Sequence, residues 1–223
     1  MTDLVAHVPA PGTAPTAALV AIAAIRLVPV VTLDDASVAR HVGAALRAGG
    51  LPCAEVTMRT PAALDAIRAL ASDPDMLVGA GTVLTPDQVE HAVAAGARFI
   101  MSPGFDPEVV QACGRLGVPA IPGVATATEI QMALRAGIAV VKLFPAEAIG
   151  GVKTLLALSA PFPALRFVPT GGITANSAGR YLSQPAVLAV GGSWIAPSGL
   201  IDARRFDEIA RRARGAATLA AAS

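Results

Sequence analysis

One lysine stands in the middle of an apolar run, and its amino group is the group best suited to covalent chemistry. Lys142 lies within residues 140–145, whose other members are all apolar. Burying an ammonium ion there is costly unless the ion is paired or loses its proton. Burial lowers the pKa of a lysine, and the neutral amine is a nucleophile towards ketones. The alternative is a lysine at the rim of a strand, with its ammonium group in solvent.

Polar and charged residues alternate with apolar ones in a second strand-like segment, 55–59. A period of two places Glu55, Thr57 and Arg59 on one face. Val56 and Met58 are suited to contact with a layer of helices, so we expect the polar face to point into the space enclosed by the strands. The alternative is a buried Glu55–Arg59 ion pair that only stabilises the strand.

Lys142 and Phe144 share one face of their own segment for the same reason. If that face also points inward, three reactive groups lie in one interior. They are the amine of Lys142, the carboxylate of Glu55 and the guanidinium of Arg59. Whether these three groups lie close together depends on how the strands and helices are arranged.

Eight short apolar runs start about 20 to 28 residues apart, which is the spacing of βα units. The runs are 25–31, 53–58, 76–80, 98–101, 118–121, 140–144, 166–169 and 187–190. Helical patterns occupy 35–48, 61–71, 86–95, 107–116, 127–136, 151–158, 175–182 and 202–213. The sequence therefore predicts an α/β fold, a single-domain (β/α)8 TIM barrel.

Residues at the helix boundaries support this division. Thr60-Pro61, Thr85-Pro86 and Asp106-Pro107 each place a capping residue before a proline, as many helices begin. A doubly wound sheet is the alternative. It normally carries a glycine-rich dinucleotide fingerprint after its first strand, and this sequence has none there.

Glycine and other small residues follow five of the predicted strands. These segments are 79–82, 102–104, 122–123, 170–172 and 191–193. Taken singly, each predicts only a tight turn. The last two, Thr170-Gly171-Gly172 and Gly191-Gly192-Ser193, follow the seventh and eighth strands, where barrels often bind phosphate through backbone N–H groups.

Composition argues against several classes of protein. Apolar residues make up 54% of the 223 residues, and the net charge is only +1, without a basic surface for nucleic acid. Cys53 and Cys113 are isolated, which is typical of the reducing cytoplasm, where we expect the protein to reside. The histidines are scattered, so no metal site is expected.

The ends of the chain differ in composition from its centre. Residues 1–18 contain prolines and lack the basic start of a signal peptide, so we expect a flexible tail there. The barrel is expected over 19–214, and a frayed, Ala-rich tail over 215–223. No uninterrupted apolar run reaches the length of a membrane span.

Several of these segments carry a family resemblance. The blocks 55–60, 79–84, 142–147, 169–173 and 191–194 occur in the order found in 2-keto-3-deoxy-6-phosphogluconate (KDPG) aldolases, a family also described as 4-hydroxy-2-oxoglutarate (KHG) aldolases. The chain resembles this family from about residue 25 to residue 206. The Glu-Val-Thr-x-Arg-Thr and Lys-x-Phe-Pro-Ala-Glu blocks are specific when they occur together.

The resemblance implies a class I aldolase that uses no metal or other cofactor and forms a homotrimer of (β/α)8 barrels. It implies cleavage of KDPG to pyruvate and glyceraldehyde 3-phosphate, and of KHG to pyruvate and glyoxylate. At matching positions, Lys142 would form the Schiff base and Glu55 would transfer protons. The implied substrate contacts are Arg59 and Thr82 to the carboxylate, Pro103 and Phe144 at the pyruvate pocket, and Gly171, Gly172, Gly192 and Ser193 to the phosphate.

The residue types also fit this chemistry. A ketone condensed on Lys142 becomes an iminium, an electron sink that allows the C3–C4 bond to break. Glu55 can relay the protons. The planar fork of Arg59 can bind both oxygens of a carboxylate.

Alternatives remain at this point. Thr170 matches phosphogluconate-type enzymes, whereas galactonate-specific relatives tend to differ there. Ile149-Gly150-Gly151 departs from the expected Asn-Gly-Gly. A phosphate-binding isomerase or epimerase is the second candidate, although such enzymes often need histidine metal ligands at strand ends. A barrel without catalytic activity, used for binding or assembly, is the third.

Overall fold

The computed structural model describes residues 16–223, whose strands form a ring of parallel β-structure. The strands are β1 (Leu27–Val31), β2 (Cys53–Thr57), β3 (Leu77–Gly81), β4 (Ile100–Met101), β5 (Ala120–Ile121), β6 (Gly123–Val124), β7 (Val140–Leu143), β8 (Arg166–Phe167) and β9 (Val190–Gly192). Hydrogen bonds join them into two sheets, in the orders β5-β4-β3-β2-β1-β9 and β6-β7-β8.

The two sheets meet at both edges, so the ring is continuous. β5 and β6 are parts of one strand interrupted at Pro122, whose carbonyl oxygen accepts a hydrogen bond of 2.8 Å from the backbone N–H of Lys142 in β7. At the other edge, a bridge pairs Thr170, beyond β8, with Gly191 of β9. Counting β5 and β6 as one strand gives the predicted (β/α)8 barrel, which is confirmed.

Helices cover the outside and one end of the ring. They are α1 (Ala17–Ile25), α2 (Ala39–Ala48), α3 (Ala63–Ala71), α4 (Pro86–Ala94), α5 (Pro107–Arg115), α6 (Ala127–Arg135), α7 (Gly151–Ser159), α8 (Ala175–Leu182), α9 (Ser198–Asp202) and α10 (Phe206–Ala221), with a 3-10 turn at Ala36–Val38. None of the helices within residues 16–223 is long and apolar enough to cross a membrane.

Two of the predicted helix starts are capped as expected, and one is not. Thr85 caps α4 and Asp106 caps α5, and their side chains accept hydrogen bonds from backbone N–H groups of the first turn. Thr60 does not cap α3, which begins two residues later than predicted. Its hydroxyl instead donates a hydrogen bond to the carbonyl oxygen of Leu33, and so connects the loops after β1 and β2.

Apolar side chains fill the ring at the end where the strands begin. This buried layer contains Val28, Cys53, Leu77, Phe99, Met101, Ile121, Val140, Val168 and Ala189. α1 lies across the same end and adds Ala18 and Ile22 to the layer. Intervening strand residues such as Val56 point outward and pack with the helices in a second, larger core. In the described part of the chain, the polar side chains of the interior therefore lie towards the other end.

Both expected tails differ from the structure where they overlap residues 16–223. α1 begins at residue 17, inside the tail expected over 1–18, and it includes Ile25, which the sequence pattern assigns to the first strand. α10 continues to residue 221, through most of the tail expected over 215–223. Alanine has the highest helix propensity, and Ala216 and Ala220 are buried, so packing holds this last helix in place. Residues 1–15 of the expected tail lie outside the described residues.

Ile22→Ala is expected to lower the free energy of unfolding by about 2–5 kcal/mol, because Ile22 is fully buried in the apolar layer and its removal leaves a cavity. Val20→Ala is the matched control on the same helix. Val20 is 53% exposed, so its substitution should change the free energy by no more than about 0.5 kcal/mol. Urea unfolding followed by circular dichroism measures both values. Similar losses in the two variants would contradict the placement of α1.

Candidate active site

Lys142 and Glu55 form an ion pair inside the ring. The Lys142 Nζ lies 2.9 Å from Glu55 Oε1, and the two side chains are 6% and 0% exposed. The alternative of a solvent-exposed rim lysine is therefore wrong. The alternative Glu55–Arg59 pair is also wrong, because Glu55 pairs with Lys142 of β7.

A glycine of the neighbouring strand leaves room for this carboxylate. β2 and β3 run parallel, with Glu55 opposite Gly79 and Thr57 opposite Gly81. A Cβ built on Gly81 would overlap Glu55 Oε1, so any side chain at this position would displace the carboxylate. The small residues of β3 thus determine where Glu55 can lie.

The second oxygen of Glu55 has no partner in the described part of the chain. Oε2 is buried and accepts no hydrogen bond there. An unsatisfied buried carboxylate oxygen is costly, and such atoms often mark places where a reacting group or a proton is handled. Beneath it, burial and then the charge of Glu55 raise the pKa of the Cys53 thiol above its ordinary value, so Cys53 is a neutral member of the core.

Three further predicted residues lie on loops at the ends of the strands. The Phe144 ring centroid is 5.4 Å from Lys142 Nζ. Thr82 follows β3 with a φ of 57°, a left-handed conformation that is rare for a β-branched residue and is found at strained functional sites. Pro103 is half-buried after β4, and its backbone lies so close to Gly123 that a side chain there would collide with it.

Arg59 lies just beyond the end of β2. The strand ends at Thr57, although the backbone N–H of Met58 still donates a hydrogen bond of 2.7 Å to Gly81 of β3. Arg59 follows in the next turn and is exposed. Its contact with a substrate carboxylate stays a prediction.

The two glycine loops lie side by side on the same rim. Thr170 is buried and pairs with Gly191, and the backbone N–H of Gly191 donates a hydrogen bond of 2.9 Å to the carbonyl oxygen of Pro169. Gly171 and Gly172 have φ values of 103° and 77°, which favour glycine. The other two predicted residues follow in chain order: Gly192 is buried at the end of β9, and Ser193 is exposed in the next turn.

Metal ligands are not grouped in the described residues. Between residues 16 and 223, no three His, Cys, Asp or Glu side chains lie close enough to hold a metal ion. The expectation of a reaction without metal or other cofactor stays a prediction.

Comparison with known proteins identifies the family. A sequence profile described as "Aldolase: KDPG and KHG aldolase" matches residues 20–212. The chain belongs to the KDPG and KHG aldolase family. A 2-dehydro-3-deoxy-phosphogluconate aldolase of Treponema pallidum is 51% identical over 186 residues, which cover 83% of this chain and 89% of that protein. The chain is thus a carbon–carbon lyase of class I, and the isomerase or epimerase alternative is not favoured.

Two solved structures resemble the aldolase over nearly its whole described length. The KDPG aldolase of Legionella pneumophila, with pyruvate captured as a covalent carbinolamine, has a TM-score of 0.86 and 42% identity, covering 89% of this chain and 97% of that one. The KDPG aldolase of Zymomonas mobilis, with 3-phosphoglycerate, has a TM-score of 0.86 and 38% identity, covering 91% and 96%.

Two polar contacts near the site were not predicted from the sequence. The hydroxyls of Thr32, just after β1, and Thr57 share a hydrogen bond of 2.9 Å. The Tyr181 hydroxyl on α8 donates one of 2.9 Å to Glu147. The alternation of inward and outward residues along β1 places Thr32 on the inward face, two residues after Val30, and this pattern could have indicated the first contact. A tyrosine among the apolar positions of a helix similarly indicates that its hydroxyl needs a partner.

Gly81→Ala is expected to lower kcat/KM of the aldolase at least about a hundredfold, because the new methyl group displaces the Glu55 carboxylate from Lys142. Gly114→Ala is the control, since a Cβ at Gly114 would meet nothing within 4 Å. Cleavage rates and circular dichroism spectra of both variants check the prediction. A folded Gly81→Ala enzyme with normal turnover would show that the carboxylate can move without loss.

Proposed function

We propose that this aldolase cleaves KDPG to pyruvate and glyceraldehyde 3-phosphate, and KHG to pyruvate and glyoxylate. The observation that carries the proposal is the buried Lys142–Glu55 pair, with 2.9 Å between Nζ and Oε1. It provides a nucleophile and a proton acceptor in contact, inside an apolar ring. The names of the related proteins support the substrate class.

Lys142 forms the Schiff base in this proposal. A proton passes from the ammonium group to Glu55, which leaves a neutral amine and a carboxylic acid. The amine attacks the C2 carbonyl carbon of the substrate, and the proton released by the attacking nitrogen passes to the carbonyl oxygen, which gives a neutral carbinolamine. Glu55 then returns its proton to the new hydroxyl group, which leaves as water, so that the iminium and the Glu55 carboxylate result. The carbinolamine captured in the Legionella pneumophila enzyme supports the same sequence here.

Glu55 moves the protons of the cleavage step. The C4 hydroxyl loses its proton to the carboxylate, the C3–C4 bond breaks, and its electron pair enters the iminium. An aldehyde and the enamine of pyruvate result. Proton return from Glu55 to C3, directly or through water, restores an iminium, whose hydrolysis releases pyruvate and free Lys142. Glu55 Oε2, which has no hydrogen-bond partner within residues 16–223, supports this role, because it can accept a hydrogen bond from a substrate hydroxyl.

The remaining residues hold the two ends of the substrate. Arg59 and Thr82 bind the pyruvate carboxylate. Because Glu55 pairs with Lys142, it does not occupy the guanidinium of the exposed Arg59, which can then bind this carboxylate. Pro103 and Phe144 line the pyruvate pocket, and the position of Phe144 beside Lys142 Nζ supports this.

The phosphate binds at the two adjacent glycine loops. Backbone N–H groups of Gly171, Gly172 and Gly192 and the hydroxyl of Ser193 donate to it, while buried Thr170 holds the loops together. The presence of 3-phosphoglycerate in the Zymomonas mobilis enzyme supports a phosphorylated three-carbon ligand. Remote binding of the phosphate would orient the C3–C4 bond at Lys142.

We further propose a homotrimer in the cytoplasm. The family resemblance supports the trimer, and the two buried free thiols, Cys53 and Cys113, support a reducing compartment. Sedimentation equilibrium should then give about three times the chain mass of 22.3 kDa. The mass of a single chain at micromolar concentration would reject the trimer.

Pyruvate with borohydride should attach covalently to Lys142, because reduction traps the iminium. Peptide mass spectrometry locates the label. Lys142→Ala should remain unlabelled, and Lys153→Ala should label as the wild type does, since Lys153 is the only other lysine and lies exposed on α7. A label that persists in Lys142→Ala, or that resides on Lys153, would reject the assignment.

Ser193→Ala should lower kcat/KM for KDPG about ten- to a hundredfold, the usual cost of losing a hydrogen bond to a charged group. The same change should leave KHG cleavage nearly unaltered, since KHG has no phosphate. Ser183→Ala, an exposed serine that ends α8, is the control. Equal losses on both substrates would mean that Ser193 supports the fold or the pyruvate end.

A further inference from the structure

Glu147 ends the 142–147 block and has no part in the proposed reaction. It follows β7, and its side chain is half-buried. Its Oε1 accepts a hydrogen bond of 2.9 Å from the hydroxyl of Tyr181 on α8. Within residues 16–223, no lysine, arginine or histidine forms an ion pair with it. A partly buried carboxylate is therefore held by a neutral donor and not by a cation.

Tyr181 is well suited to remain that donor. Its side chain is the largest of the fully buried side chains in the described residues. Burial and, after it, the hydrogen bond to Glu147 raise the pKa of the Tyr181 hydroxyl above its ordinary value. The phenol therefore keeps its proton at neutral pH, and its packing in α8 fixes the direction in which it donates.

Glu147 packs directly on the loop 170–172. Its backbone N–H donates a hydrogen bond of 3.0 Å to the carbonyl oxygen of Gly171, and that of Ala146 donates one of 2.8 Å to Thr170. A Cβ built on Gly172 would lie 2.8 Å from the Cβ of Glu147. The proposed phosphate loop and the backbone of Glu147 are thus one contiguous unit.

A carboxylate next to an anion-binding loop is unfavourable unless it is turned away, because like charges repel strongly where little water screens them. The Glu147 atoms nearest to a Cβ built on Gly172 would be Cβ, Cγ and Cα, and not the carboxylate oxygens. Oε1 is bound to Tyr181, and a Cβ on Gly151, at the start of α7, would lie 3.3 Å from Oε2. The carboxylate therefore points to α7 and α8, and away from the loop.

We propose that Tyr181 is a positioning residue for phosphate recognition, which acts by holding the Glu147 carboxylate away from the loop 170–172. This inference rests on the proposed phosphate site at that loop. Without the hydroxyl of Tyr181, the charged side chain of Glu147 is free to turn towards the bound phosphate. The hydroxyl thus increases affinity for a ligand that it does not touch.

Tyr181→Phe keeps the buried ring and removes only the donor. It should raise KM for KDPG about tenfold, and raise the inhibition constant of inorganic phosphate by a similar factor. kcat for KDPG and both constants for KHG should change less than about twofold, since Lys142 and Glu55 are untouched. Melting temperatures check that the variant is folded.

Glu147→Gln is the matched variant, because its amide oxygen still accepts the hydrogen bond from Tyr181 while the charge is gone. Alone, it should bind KDPG at least as well as the wild type. Combined with Tyr181→Phe, it should bring KM back to within about threefold of the wild type. This recovery separates a restrained charge from a loss of structure.

Three results would overturn the inference. Equal losses on KDPG and KHG in Tyr181→Phe would show a general structural role. A double variant as weak as Tyr181→Phe would show that the charge of Glu147 is not what Tyr181 restrains. A wild-type enzyme that shows no preference for KDPG over KHG and no inhibition by phosphate would reject the phosphate site itself, and this result is seen without any variant.

Discussion

The contact between one amine and one carboxylate imposes the strictest demand on this structure. Neither Lys142 nor Glu55 can be buried alone, because burying an isolated charge in an apolar interior costs several kcal/mol. That cost is of the same order as the net free energy of unfolding of a whole domain. Together, with 2.9 Å between Nζ and Oε1, they neutralise one another. The pair lies across the ring, from β2 to β7, so only closure of the barrel brings its members together.

Other parts of the fold follow from that demand. β3 presents glycine where any side chain would displace the carboxylate. The layer beneath is apolar and is covered by α1, so water does not reach the pair from that side in the described residues. The loops beyond the strands carry the polar groups, as in barrels whose chemistry lies at the carboxyl ends of the strands. The apolar layer and the polar groups thus lie at opposite ends of the ring axis.

The sequence predicted what depends on local pattern. The spacing of apolar runs indicated the eight-stranded barrel, and the period of two placed Glu55 and Lys142 on inward faces. Arg59 lies two residues beyond the end of β2, so the same period does not determine where its side chain lies. Alanine-rich ends were expected to be tails, but α1 and α10 are helices because tertiary packing buries their small residues. The Tyr181–Glu147 contact spans 34 residues, and no local pattern could specify its partner.

The filled base of the barrel has a kinetic consequence. Within residues 16–223 the interior is occupied below Lys142, so substrate and both products pass through the same mouth of the barrel. In the proposed reaction, pyruvate forms on Lys142 at the deeper end, while the phosphorylated aldehyde lies nearer the rim. We therefore expect an ordered release in which the aldehyde departs first and pyruvate last. In the direction of synthesis, the enzyme must be loaded with pyruvate before the aldehyde can bind productively.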